Sequence, residues 1–234
     1  WVYRHTGVSS RMDWLSPQEW KAVALSLRVA FGATLVSLPF AMAAAHLLAR
    51  CSFPGKQLVN GLVHLPLVLP PVVTGYLLLI TFSLEAPVGQ ALSQIGVVFA
   101  FHWTGAALAA AIMAFPLMVR AIRLSIEAVD PKLEEAAATL GASPLWVYLT
   151  VTVPLILPGI VAAGLFGFTL SYDEFARTTL LAGEFNTLPL DINSSMTQRI
   201  RPTLFALGTA STIFSIMMIG VFLVVYSMLM KRMK

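Results

Sequence analysis

Charge is scarce in this chain. Asp, Glu, Lys and Arg make up 11% of 234 residues, against about 25% in an ordinary soluble domain. That deficit excludes a water-soluble globule. Cysteine is nearly absent too: Cys51 stands alone, which excludes an intrachain disulfide and any redox or metal centre built on thiolates. The four histidines, His5, His46, His64 and His102, are scattered and form no ligand cluster, so structural roles are expected for them. No Gly-x-x-x-x-Gly-Lys-Ser/Thr loop is present, and nucleotide is not bound by that route. A Ser/His/Asp hydrolase lacks its elbow motif. An intramembrane protease would need Gly-x-Ser paired with a His, but Gly208-Thr209-Ala210 has the wrong residue and no His follows. Internal repeats and low-complexity tracts are also missing.

What fills the chain is apolar sequence: 58% hydrophobic residues and a mean hydropathy of +0.81. An all-α polytopic membrane bundle of five spanning helices is expected. Its net charge of +4 reads as membrane topology, with lipid and not nucleic acid as its surroundings. Residues 1–20 form a polar N-terminal segment without the apolar run of a signal peptide. The first residue is not Met and Met12 could initiate, so residues 1–11 are expected to be a fragment or an upstream read-through. Trp14 and Trp20 fit an interfacial belt, and Ser16-Pro17 fits a helix start.

The first span is the charge-free run Val29–Ala49, beginning near Lys21. The turn Arg50–Lys56 follows, then a second run, Gln57–Leu84, in which Pro66, Pro70 and Pro71 make a straight helix improbable. A third helix is expected from about Ile95 to Arg120, a fourth from Trp146 to Leu170 and a fifth from Pro202 to Met230. A basic tail, residues 231–234, closes the chain. Each run approaches the roughly 20 apolar residues a span needs. Five spans put the termini on opposite sides. Lys and Arg divide almost evenly, but the loop 84–95 has none, whereas the opposed turn carries Arg50 and Lys56, with a protonated His64 grouped beside them. That asymmetry favours N-terminus outside and C-terminus inside.

One stretch breaks the apolar pattern: Asp130 to Pro154, DPKLEEAAATLGASPLWVYLTVTVP. Asp130 suits an N-cap and Pro131 the first helical position. Glu134 and Glu135 sit where the helix dipole favours negative charge. Gly141 suits a left-handed C′ position, and Ser143-Pro144 repeats the start signal. The expected product is a short surface helix, roughly 15 Å long, held at a sharp turn to a membrane helix. Such a knob is shaped to be gripped by another protein.

Glu135-Ala136-Ala137, three residues, Gly141, nine residues, then Val151-Thr152-Val153-Pro154 resembles the EAA loop of ABC importer permeases, E-A-A-x3-G-x9-I-x-L-P, with valines for isoleucine and leucine. The resemblance implies a 21–230 transmembrane domain of type I importer form, with its coupling loop at 130–154. It implies that Glu134, Glu135, Ala136, Ala137, Gly141 and Pro154 serve docking of a cytoplasmic ATPase subunit. ATP and magnesium would be held by that partner, and this chain would not itself be an enzyme. A periplasmic or extracellular substrate-binding protein and a second permease subunit complete the implied assembly, in a bacterial cytoplasmic (inner) membrane.

Over about residues 12–160 the chain looks like molybdate-type permeases, through Leu25-Ser26-Leu27-Arg28-Val29, Phe53-Pro54-Gly55-Lys56, His64 to Tyr76 and Phe115 to Arg123. After about residue 165, Leu170 to Thr178, Asn186 to Leu190 and Ala206 to Thr209 are closer to polyamine-type permeases. A molybdate-type chain implies a homodimer, a polyamine-type chain a heterodimer. Candidate pathway or outer-gate residues are Pro70, Pro71 and Thr74, in a segment that either kinks for packing or moves, and Tyr172, Asp173, Glu174 and Arg177. The last group fits a solvated loop, a contact with the binding protein or a substrate contact. A channel working without an ATPase is the reading from another class.

Overall fold

Proline and glycine decide where this chain is straight and where it turns. The computed structural model describes residues 17–174 and 203–232, with Leu181, Thr187, Pro189, Leu190, Ile192 and Asn193 between them. The expectations placed on residues 1–16, on Arg177 and on Met233-Lys234 lie outside the described residues. Every regular element among the described residues is helical.

Helix α1 (Pro17–Arg50) starts at the expected proline and runs through the first apolar stretch. Arg28 and Arg50 flank that stretch and lie about 33 Å apart along the helix at 1.5 Å per residue, close to the thickness of a hydrocarbon core. The Arg28 guanidinium sits 4.1 Å above the Trp103 ring, a stabilising cation–π contact at one end of the bundle.

The expected second span is two helices, α2 (Lys56–Val68) and α3 (Pro71–Phe82), whose axes turn by 110° at the break. Pro70 and Pro71 cause it: neither has an amide to donate, and each biases its predecessor out of the helical region. Each arm is roughly 20 Å long, short of a crossing by itself. Helix α4 (Pro87–Gln94) follows. The third long helix begins at Trp103, not Ile95, and runs as α5 (Trp103–Glu127). The reason is local. Gly96 adopts φ 79° and ends α4, and the His102 imidazole accepts the Thr104 amide to start α5.

Two short pieces, α6 (Pro131–Thr139) and α7 (Pro144–Val147), lead through a π-helical turn at Tyr148–Thr152 to α8 (Val153–Leu155) and α9 (Leu157–Tyr172). The fourth expected span, Trp146–Leu170, is therefore not one helix. Its halves turn by 75°, with Pro154 and Pro158 at the bend. Helix α10 (Thr203–Arg232) is the last and carries the basic tail's first residues within it. Among the described residues, three helices are long and apolar enough to cross a membrane by themselves, and the number reaches five when each bent pair counts as one span.

Helices α1, α5 and α9 pack on one another, α2 leans on α5, α3 on α4 and α10 on α9. Lipid gives no hydrophobic reward for helix contact, so close backbone approach must supply it. The core accordingly uses small residues, Ala41 and Ala45 of α1, Ala114 of α5 and Ala163 of α9, interleaved with Leu48, Met118, Ile122 and Ile160. The tightest approach is at Gly159, where an added Cβ would lie 2.5 Å from the Ser125 Cβ of α5 and 1.8 Å from its Oγ.

Gly159→Ala is expected to separate α9 from α5 and lower stability by about 1–3 kcal/mol, the usual range for overpacking. Gly164 of α9 has open space around it, so Gly164→Ala is expected to leave stability unchanged or slightly raised. Thermal melts of the two purified variants in detergent decide this; equal midpoints would refute the close-packing account.

Candidate functional site

The Asp130–Pro154 stretch folds as its residue types require. The Asp130 carboxylate accepts the Lys132 amide at 3.0 Å, and Pro131 opens α6 without wasting a donor. At the far end, the Gly141 amide reaches the Ala138 carbonyl at 3.0 Å and the Ala142 amide reaches the Ala137 carbonyl at 3.3 Å. That pair of bonds is the Schellman closure. It needs the left-handed residue that Gly141 provides at φ 85°. Ser143 restarts the helix by accepting the Trp146 amide at 3.4 Å. Downstream, Pro154 crowds the carbonyl four residues back, and the wide π turn immediately before it accommodates that crowding.

Glu134 and Glu135 both border the space under α6, but they differ in exposure and in their ties to the bundle. Glu134 faces the bundle. Its Oε2 lies 3.1 Å from Arg50 Nε, and its Oε1 accepts the Thr152 hydroxyl at 2.7 Å and Arg50 Nη2 at 3.4 Å. The same Arg50 Nη2 donates to the Val129 carbonyl at 2.9 Å. The Arg50 and Glu134 side chains are 18% and 19% exposed, and Thr152 is buried. Beneath α6 these groups border a cavity of about 300 Å³, closed on one side by Tyr148, whose ring meets the His46 ring edge-on at 4.6 Å.

The exposed surface is different. Glu135 and Ala136 are exposed, Leu140 is 90% exposed, and Leu133, Leu145 and Trp146 are also open. Ala137, Leu140, Gly141, Ser143 and Trp146 line a shallow groove of about 430 Å³. Exposed apolar groups beside a carboxylate, on a doubly capped helix, have the character of an interaction surface. Among the described residues, no group of three His, Cys, Asp or Glu side chains could hold a metal ion. Pro154 lies in α8, behind the π turn, and supports the site without joining its outer face.

The pathway candidates fall in two separate places. Pro70 and Pro71 form the exposed break before α3, and buried Thr74 returns its hydroxyl to the Pro70 carbonyl at 3.3 Å. Tyr172 packs with Ala30 of α1 and with Phe214 of α10, ring centroids 5.2 Å apart. Asp173 follows the end of α9 and reaches solvent, yet partial desolvation pushes its carboxyl above the usual range. Glu174 is buried. Because α3 packs chiefly on α4 and α9 on α1 and α5, the two groups do not converge within one subunit.

Three residues of this end of the bundle escape sequence reasoning: Arg50, Thr152 and Asn60. Arg50 reads only as a turn cation, and Thr152 only as part of the loop motif. Asn60 accepts from Arg123 Nη1 at 3.3 Å, fixing α2 to α5, while Arg123 Nε also donates to Glu127 at 2.7 Å. The one available signal was an arginine immediately after a charge-free span, on the side assigned to the Asp130 stretch.

Comparison with known proteins agrees with this geometry. The molybdenum transport system permease protein ModB of Escherichia coli is 52% identical over 180 residues, covering 75% of this chain and 79% of that protein. ModB of Haemophilus influenzae is 51% identical over 181 residues, with the same coverage. The sulfate transport system permease protein CysT of Salmonella typhimurium is 32% identical over 225 residues, covering 93% of this chain and 80% of that protein. Among solved structures, a bacterial ABC transporter involved in import of the acidic polysaccharide alginate has a chain of the same fold, with a TM-score of 0.71 at 20% identity over 94% of this chain and 82% of that one. The MetNI methionine ABC transporter has another, with a TM-score of 0.67 at 16% identity over 90% and 94%. Residues 37–234 match the family described as binding-protein-dependent transport system inner membrane component, and the chain belongs to that family.

Proposed function

We propose that this chain is the permease subunit of an ABC importer for molybdate, powered by ATP hydrolysed in a partner subunit. One observation carries the coupling role: α6 is fixed to the bundle through Glu134 and leaves Ala136 and Leu140 open to a partner, with Glu135 exposed at the edge of the same face as Glu134. A stiff, capped helix transmits rigid-body motion, and alternating access by subunit rocking needs such a connection. ATP and magnesium belong to the partner ATPase, docked on the outward side of α6. An external binding protein delivers the substrate, and a second copy of this chain completes the path.

Similarity to the molybdenum permeases supports the substrate. The sulfate permease extends over more of the chain at lower identity, and sulfate and molybdate are both tetrahedral dianions. The polyamine alternative, with its heterodimer, gains no support from the relatives described above. With α6 on the cytoplasmic side, Arg50, Arg123 and Lys132 lie inside and Arg28 outside, which keeps the N-terminus-out, C-terminus-in orientation.

Two outcomes are expected. Glu135→Arg and Gly141→Pro leave membrane insertion intact but reduce recovery of the ATPase subunit on co-purification, Gly141→Pro more severely because proline is locked near φ −65° and the site needs φ 85°. Normal recovery with both variants would remove the docking role. Second, proteoliposomes containing the full complex and its binding protein take up labelled molybdate with ATP inside, sulfate competes, and putrescine does not. Uptake with the ATPase omitted would establish a channel instead.

A further inference from the structure

We infer that Arg50 and Thr152 are positioning residues: together they clamp Glu134 so that the coupling helix moves as one body with α1 and with the base of α9. The inference rests on the proposed docking role of α6 and adds where the motion goes. By chain connectivity α6 is joined only to α5 and α7. It is not connected to α1, which lies more than eighty positions upstream. The clamp makes that missing connection.

Its geometry is specific. Glu134 Oε1 takes the Thr152 hydroxyl at 2.7 Å, while Oε2 faces Arg50 Nε at 3.1 Å. Arg50 Nη2 also holds the Val129 carbonyl at 2.9 Å, immediately before α6 begins. One guanidinium thus fixes both the entry to α6 and its first turn. The π turn at Tyr148–Thr152 brings Thr152 under Glu134, and π turns are a frequent device for re-aiming a side chain at functional positions. Helix α1 in turn packs along both α5 and α9. A displacement applied at Leu140 or Glu135 therefore reaches the three helices of the core together, not α5 and α7 alone. With the clamp cut, α6 keeps its own caps and its outward face, so docking survives while the direct link to α1 is lost and motion reaches α1 only through α5.

The test uses the complete transporter, with ATPase subunit and binding protein, in proteoliposomes. Arg50→Gln removes the ion pair, Thr152→Val removes only the hydroxyl, and Arg50→Lys keeps the charge. ATPase recovery and hydrolysis are expected to stay within about twofold of the unmodified complex. Molybdate taken up per ATP hydrolysed is expected to fall roughly fivefold or more in Arg50→Gln, the lower end of coupling between linked sites. Thr152→Val falls less and Arg50→Lys retains most of the ratio. The Arg50→Gln/Glu134→Gln pair is expected to be no worse than Arg50→Gln alone, since both members act through one contact. An unchanged uptake-to-hydrolysis ratio in Arg50→Gln overturns the clamp. So does loss of ATPase recovery in step with uptake, which would make the contact merely structural. Failure of the unmodified chain to retain an ATPase subunit would instead remove the docking role on which the clamp depends.

Discussion

In hydrocarbon there is no water to satisfy a backbone amide or carbonyl, and this one constraint shapes the whole molecule. It permits α1 and α5 to run long, because each bonds its own backbone within the helix. It makes every break a location that needs cover. The break at Ile156 has it, since Ile156 is 1% exposed and joins the cluster formed with α1 and α5. The break at Pro70 and Pro71 does not have it among the described residues, where both prolines are exposed. The second permease subunit of the proposed assembly, or water in its transport path, would supply cover of the kind that site requires. Both readings agree with the proposed function and neither agrees with an isolated lipid-facing loop.

Helix contact in the same medium has to come from close packing. The alanine faces of α1 and α5 and the Gly159–Ser125 approach answer that need. The result is a closely packed three-helix core of α1, α5 and α9, with α2, α3 and α4 at its margin. Polar tethers cluster at the end bearing α6: Arg50 to Glu134, and Arg123 to Asn60. At the other end the aromatic contact of Arg28 with Trp103 is the corresponding anchor.

Local chemistry was legible in the sequence wherever one residue type has few alternatives. Asp130, Gly141 and Ser143 named the two caps and the turn between them, and each cap is in place. The apolar runs located the spans. The prolines announced the first break, though not its 110° angle, which depends on what α3 packs against. The start of α5 was misplaced by several residues because Ile95 to Ala100 is as apolar as a helix interior; only Gly96 and the His102 cap mark the boundary. The clamp was illegible for a different reason. Arg50 and Glu134 are far apart in the chain, and no periodicity or spacing relates them.

The clamp's energetics explain why such a contact serves geometry better than stability. At an effective dielectric of about 20, unit charges 4 Å apart attract by about 4 kcal/mol, but removing both groups from water costs several kcal/mol per ion. The net gain to folding is therefore small. The asymmetry is large, however, because either group left alone in that partly buried place keeps its desolvation cost without its partner. An arrangement of that kind contributes little to holding the bundle together and much to fixing which side of α6 faces inward. Glu134 is held by two hydrogen-bond donors, Arg50 Nη2 and the Thr152 hydroxyl, and by its ion pair with Arg50, so α6 cannot rotate without losing all of them. Glu135, its immediate neighbour, is left exposed at the edge of the same cavity, so two adjacent carboxylates differ in exposure through their surroundings alone.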